Sequence, residues 1–250
     1  LFGFLREVIL SYYYGASGIS DAYLVSLTIP TLIFSFLGVG LNKTYIPIYN
    51  SIYKEKGEEG TDKYTNNIIN TIFFASSLVL IGILIFTPSI VRLFALGFEG
   101  ETYSLAIKLT RVTSVSILMI GVIHILGSYL QVKGNFIAST IINLPLDIVS
   151  IISIILSFIF FTEILAYGRV VAVFAQLLIL VPLLYKKKFK YRFILNLRDD
   201  NLKNMFWLAL PVIFGTSVNQ INKLIDRTIA STISIGGVSS ITYANRLNLF

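Results

Sequence analysis

The chain has 250 residues, of which 55% are hydrophobic and 13% charged, and its mean hydropathy is +0.79. Soluble domains carry about a quarter charged residues, so this composition excludes a soluble globular class and indicates a polytopic all-α membrane protein. With no cysteine, disulfides and thiolate metal sites are excluded, and the net charge of +7 reads as topology-setting loop bias rather than nucleic-acid binding.

At about 20 residues per span the length has room for about seven or eight helices. The first, Leu1–Tyr14, carries Arg6 beside Glu7 within an otherwise lipid-soluble run. A charge at membrane depth costs about 2.5–3.5 kcal/mol on insertion scales, so such residues face a bundle interior or a wet cavity. A Gly/Ser turn with Asp21 follows, then a second span, Ala22–Tyr49, with Pro30 inside it. Its stripe of Thr28, Thr31, Ser35, Gly38 and Asn42, with Lys43 at the end, suits close helix packing or a polar path.

The hydrophilic run KEKGEEGTDK predicts a loop before the third span, Asn67–Phe86, and TPSIVRLFALGFEGE predicts a short interfacial helix from Pro88 and Ser89 to Gly97. Spans four to six are predicted at Ala106–Gln131, Phe136–Phe161 and Ile164–Tyr185. Lys108 and Arg111 sit where they can snorkel, and His124 and Asp147 read as groups that hydrogen-bond between helices. A basic stretch, KKKFKYRFILNLRDDNLK, leads to span seven, and Asp199 and Asp200 lie where acids favour a helix start. Span seven, Met205–Ser234, is the most polar. Its Thr216, Asn219, Lys223, Asp226 or Arg227, and Ser231 follow the spacing of one helical face. An eighth span begins near Val238, and a chain that opens on Leu1 and ends inside an apolar run is expected to be a piece of a longer protein.

Lys54, Lys56 and Lys63, then Lys133, then Lys186 to Lys203 crowd the loops after spans two, four and six, against Arg92 on the other side. The positive-inside bias therefore puts those loops and the N-terminus in the cytoplasm. At an offset of 220, Ile9, Ser11, Ser20, Tyr23 and Leu27 match Ile229, Ser231, Ser240, Tyr243 and Leu247. Both stretches run charged pair, Gly/Ser turn, re-entering helix. Six intervening spans make the repeat parallel, so the expected architecture is two lobes. Residues 1–185 would form the first six-helix lobe, 186–204 a basic linker and 205–250 the start of the second.

Arg6, Lys43, Lys223, Arg227 and Arg246 outnumber the nearby membrane acids Glu7 and Asp226. Surplus buried positive charge suits an anionic ligand, and the planar fork of Arg suits phosphate. The competing reading is internal neutralisation, Arg6 by Glu7 and Arg227 by Asp226. No Walker loop is present and a single His allows no Ser/His/Asp set, so neither ATP use nor catalysis is indicated. A membrane-embedded polyprenyl-phosphate transferase would need clustered acids, for which only Asp199 and Asp200 offer themselves. A purely structural membrane protein would not need charges in spans one and seven.

GFLRE at Gly3–Glu7, YGAS at Tyr14–Ser17, DAYLVS and IP within Asp21–Pro30 and IPIY at Ile46–Tyr49 resemble the opening of the MurJ (MviN) lipid II flippases. GF at Gly97–Phe98, and YANRL at Tyr243–Leu247 preceded by DRTIAS, resemble the same family, which shares a superfamily with drug exporters and oligosaccharide-lipid flippases. The resemblance implies a two-lobe bundle that exports a lipid-linked peptidoglycan precursor by alternating access, this chain being about the first half. It implies a bacterial inner-membrane location, substrate-binding roles for Arg6 and Arg246 and the outer acid position for Asp21, with Asp226 as a sodium ligand whose companions would lie beyond Phe250; the buried charges Glu7, Lys223 and Arg227 complete the expected substrate-binding set. No other cofactor is implied, and the expected partners are the glycolipid and membrane lipids, with the protein a monomer. Phe34 and Ser35 replace an arginine pair of the family, Val39 replaces a Glu, and Asn245 stands where some members have Asp. Those departures leave room for a flippase of another polyprenyl-diphosphate-linked oligosaccharide, whereas a cation-coupled drug exporter would favour buried acids over arginines.

Overall fold

The computed structural model describes residues 2–135 and 141–248, apart from the side chains at 36–39 and 42. Gly38, Val39 and Asn42 of the sequence reading, and the first residues of its fifth span (136–140), fall outside that description. Every described element is a helix: α1 (Phe2–Tyr14), α2 (Gly18–Phe94), α3 (Gly100–Ser114), α4 (Ile117–Val132), α5 (Asn143–Ile159), α6 (Ile164–Lys186), α7 (Asp200–Ile233) and α8 (Gly237–Asn248). The all-α class expected from composition is the fold observed.

α2 departs from the expected span, loop, span and short helix. It runs 77 residues and leaves helical geometry at Gly57, with φ 62° and ψ −157°. Glycine takes positive φ without steric cost, so the chain reverses there, while the Lys and Glu around it are good helix formers and stay helical. The two arms lie side by side: the Tyr45 hydroxyl pairs with Thr65 Oγ1 at 2.7 Å, and the Tyr45 and Tyr64 rings stack with centroids 5.7 Å apart. Pro88 likewise does not start a new helix, since α2 continues to Phe94. A proline leaves the carbonyl four residues back without its N–H partner. The Thr87 hydroxyl reaches that carbonyl, Leu84 O, at 3.3 Å, and Ile83 O at 2.6 Å. At Pro30 the freed Ser26 carbonyl accepts instead from Thr113 Oγ1 of α3 at 2.8 Å, which ties the two helices together.

Span four, expected as one helix, is the pair α3 and α4 bent by 42°. At the bend, Thr113 O accepts from Ser116 N at 3.0 Å and Ser116 Oγ at 2.6 Å, replacing the bond a straight helix would make. By length and composition, three described stretches can cross a membrane, Gly18–Ser35, Lys43–Phe94 and Ile164–Lys186, and the bent pair makes a fourth. Of the other described helices, α5 is apolar and begins at Asn143, past the residues 136–140 that lie outside the description, and α7 sets Lys223, Asp226 and Arg227 within its length.

Two apolar clusters stack along the bundle. One, around Tyr45, Ile68, Tyr129 and Leu180, fills the end that carries Gly57 and the 187–199 connection. The other, around Ala22, Val91, Leu109, Ile154 and Val238, fills the end that carries the Gly15 and Gly236 turns. α7 packs along α2, and α8 contacts both α1 and α2. The polar residues of α1, α5, α6, α7 and α8 are thereby left to meet between the apolar layers.

Candidate functional site

That meeting place is a cavity of about 690 Å³. One wall comes from α1, α5 and α6, with Arg6, Glu7, Asp147 and Arg169; the facing wall comes from α7 and α8, with Lys223, Asp226, Arg227 and Arg246. Thr28 and Thr31 of α2, Asn143, Gln220 and Asn245 add neutral polar groups. Five basic side chains stand against three acidic ones, an excess of positive charge within a largely apolar bundle.

Arg6 is held between two acids: Nη2 donates to Glu7 Oε1 at 2.9 Å and Nη1 to Asp147 Oδ1 at 3.0 Å. Its neutralisation by Glu7, one of the two readings open from sequence, is the geometry observed, and Asp147 reinforces it from 141 residues away. Glu7 Oε2 is buried with no hydrogen-bond partner among the described residues. Arg246 Nη2 comes within 3.9 Å of Glu7 Oε1, which links the two walls.

Arg227 does not pair with Asp226. It reaches across to α2 and donates Nη1 to the Leu24 carbonyl at 3.0 Å, and among the described residues no ion pair within 4.0 Å includes Asp226. Asp226 brings one carboxylate, and among the described residues no group of three or more His, Cys, Asp or Glu could hold a metal. Lys43 is exposed and does not line the cavity.

Asp21, expected to bind substrate, is placed outside the cavity wall and is 1% exposed. Its Oδ2 accepts from Gly236 N and its Oδ1 from Ser239 N, each at 2.7 Å, so it caps the first turn of α8. The turns that the repeat relates are therefore in direct contact. Tyr243 donates its hydroxyl to Gly15 O at 3.2 Å, and Gly236, at φ 86°, has the Ala16 carbonyl where a Cβ would go. Gly97 sits equally close to the Ser231 backbone and donates its N–H to Ser231 Oγ at 3.2 Å. This end of the cavity is shut by backbone contact.

Sequence reasoning missed Arg169, although an Arg inside ILAYGRVVAVF carries the same signal that marked Arg6. Asp147 was read as a bonding group between helices, and its place on the cavity was not. His124 stacks on Phe34 with ring centroids 5.7 Å apart, so the position where the resembling family has an arginine is here a core aromatic contact. Asp199 caps α7 as expected, accepting from Asn201 N at 2.8 Å and Leu202 N at 3.2 Å.

The family model described as lipid II flippase MurJ matches residues 10–250. A protein of Aquifex aeolicus named "Probable lipid II flippase MurJ" is 29% identical over 255 residues, covering 100% of this chain and 50% of its own. A solved lipid II flippase MurJ, in an inward closed conformation, superposes with a TM-score of 0.84 at 26% identity over 99% of this chain and 52% of that one. An inward-facing multidrug resistance MATE family transporter of the MOP superfamily superposes at 0.73 with 20% identity, covering 96% of this chain and 58% of its own, a likeness of fold. The chain spans about half the length of the curated relatives it matches. With the match to the family model running from the middle of α1 to the last residue, the chain belongs to the lipid II flippase MurJ family.

Proposed function

We propose that the full-length protein exports lipid II, the lipid-linked peptidoglycan precursor, across the bacterial inner membrane by alternating access and without catalysis. The observation that carries this reading is the cavity between the two walls, whose basic side chains exceed its acids by five to three. A diphosphate headgroup is the anion that such a site suits. Guanidinium forks donate paired, charge-assisted hydrogen bonds to phosphate oxygens, and at membrane depth few waters compete for them. The backbone contacts around Asp21 and Gly236 close one end, and the proposed cycle opens that end after loading from the other. The Lys- and Arg-rich connections support an orientation with the N-terminus in the cytoplasm, and the protein is proposed to act as a monomer.

Rescue tests this directly. The full-length protein, expressed in cells depleted of their own lipid II flippase, should restore both growth and outward exposure of lipid II. Normal membrane levels without rescue would contradict the assignment and would point to another polyprenyl-diphosphate-linked glycan. Such a shift would fit Phe34 and Ser35 standing where the family carries arginines.

A further inference from the structure

The connection between α6 and α7 is tied down along its length. Residues 189–196 are non-helical, yet three buried asparagines of the second arm of α2 grip their backbone. Asn66 donates to Lys190 O at 3.0 Å and accepts from Arg192 N at 3.1 Å. Asn67 accepts from Asn196 N at 2.7 Å and donates to Asn196 O at 2.9 Å. Asn70 donates to Ile194 O at 2.9 Å and accepts from the Tyr191 hydroxyl at 2.7 Å. These amides pair with backbone groups much as a neighbouring strand would. At the α6 end, Phe189 packs edge-on against Tyr129, with centroids 4.9 Å apart.

Ordering a loop costs conformational entropy, so what the held segment presents outward needs a reason. Tyr191, Phe193, Leu195 and Leu197, at every second position, are 59%, 76%, 41% and 56% exposed. Lys190 and Arg192 are interleaved with them, and Lys186, Lys188 and Arg198 flank them. In bulk water that row of large apolar groups would be unfavourable, and in the acyl core the charges would be. The boundary between the two suits both, because aromatic and aliphatic groups sink toward the acyl chains while Lys and Arg reach lipid phosphates. The depth agrees, since the gripping residues Asn66, Asn67 and Asn70 stand where the apolar run of that arm begins.

We propose that residues 186–198 form an interfacial strap that seats its apolar side chains at the headgroup–acyl boundary and gathers anionic phospholipid through its Lys and Arg. The strap fixes the start of α7, and with it the α7 wall of the cavity, against one membrane surface.

The test uses the full-length protein in nanodiscs of phosphatidylcholine with and without phosphatidylglycerol. These 250 residues have no cysteine, so in a full-length protein whose remaining cysteines are replaced by Ser, Phe193→Cys and, as an exposed control, Glu55→Cys each give a single labelling site for a fluorophore. Bromine-labelled lipids should quench the label at 193 strongly and that at 55 weakly, with aqueous iodide giving the reverse order. Neutralising Lys186, Lys188, Lys190 and Arg192 to Gln should cut the phosphatidylglycerol retained by the purified protein at least about fivefold, the effect expected of even one cation at an anionic surface. Iodide reaching position 193 as well as position 55, or neither quencher reaching it because another part of the protein covers it, overturns the strap. So does unchanged phosphatidylglycerol retention in the neutralised variant.

Discussion

The two walls of the cavity carry similar residues and differ in net charge. On the wall of α1, α5 and α6, Arg6 and Arg169 are matched by Glu7 and Asp147, and Arg6 is locked to both acids at 2.9 and 3.0 Å. On the wall of α7 and α8, Lys223, Arg227 and Arg246 face a single acid, Asp226, and among the described residues their one ion pair within 4.0 Å is Arg246 to Glu7 at 3.9 Å. The positive excess therefore lies on the second wall. The difference teaches that a charge in a membrane span can be a strut or a ligand, and that only its partners tell which. Arg6 is tied as a strut between α1 and α5 and Arg227 donates Nη1 to the Leu24 carbonyl, so in the proposed site Lys223 and Arg246 are the cations assigned to the anion.

The largest effect that could break this contrast is in stability. Arg6→Ala strands Glu7 and Asp147 without their shared cation, and removing one partner of a buried pair costs about 3–5 kcal/mol. The variant should accumulate poorly and melt early, and adding Glu7→Gln and Asp147→Asn should restore its level; failure of that rescue would deny the strut. Next in size, Arg246→Ala and Lys223→Ala should leave folding and membrane level normal while transport falls about tenfold or more, the value of one charge-assisted hydrogen bond. Arg6→Lys keeps the charge without the fork and should retain partial transport.

The closed end sharpens the contrast, because there a carboxylate meets backbone rather than a cation. Asp21→Ala leaves two buried N–H groups unpaired and should lower stability by about 2 kcal/mol or more in thermal unfolding, with Asp21→Asn costing less. Gly236→Ala combines positive φ with a methyl directed at the Ala16 carbonyl and should cost about 1 kcal/mol or more. The smallest effect belongs to an exposed pair of the same length as those at Arg6. Lys133 Nζ lies 2.8 Å from Glu58 Oε1, and that hydrogen bond holds the Glu58 carboxyl below its ordinary range. A lowered carboxyl contributes stability above its unfolded pKa and loses it as the pH falls through its folded pKa. Glu58→Gln should therefore lower the melting temperature slightly at neutral pH and leave it unchanged in strong acid.

Charges set in apolar runs were legible without coordinates: Arg6, Glu7, Lys223, Asp226, Arg227 and Arg246 all line one cavity. Their partners were not legible, because Arg6 meets Asp147 and Arg227 meets the Leu24 carbonyl across 141 and 203 residues, and local pattern carries no record of such distances. Polarity alone misled at KEKGEEGTDK, where good helix formers continue α2 on both sides of Gly57, and proline misled at Pro88, where the Thr87 hydroxyl takes up the freed carbonyl. The Gly/Ser turns of the repeat were visible in sequence, but their mutual contact through Asp21 needed the fold.

The central claim is that the α7 and α8 wall takes the diphosphate, and lipid II binding by the purified full-length protein tests it most directly. Affinity would be measured by native mass spectrometry for the wild type, for Arg6→Lys and for Lys223→Gln combined with Arg246→Gln. The account predicts near wild-type affinity for Arg6→Lys and a loss of at least about tenfold for the double variant, as expected when charge-assisted bonds to phosphate are removed. Equal losses in both, or wild-type affinity in the double variant, would contradict it.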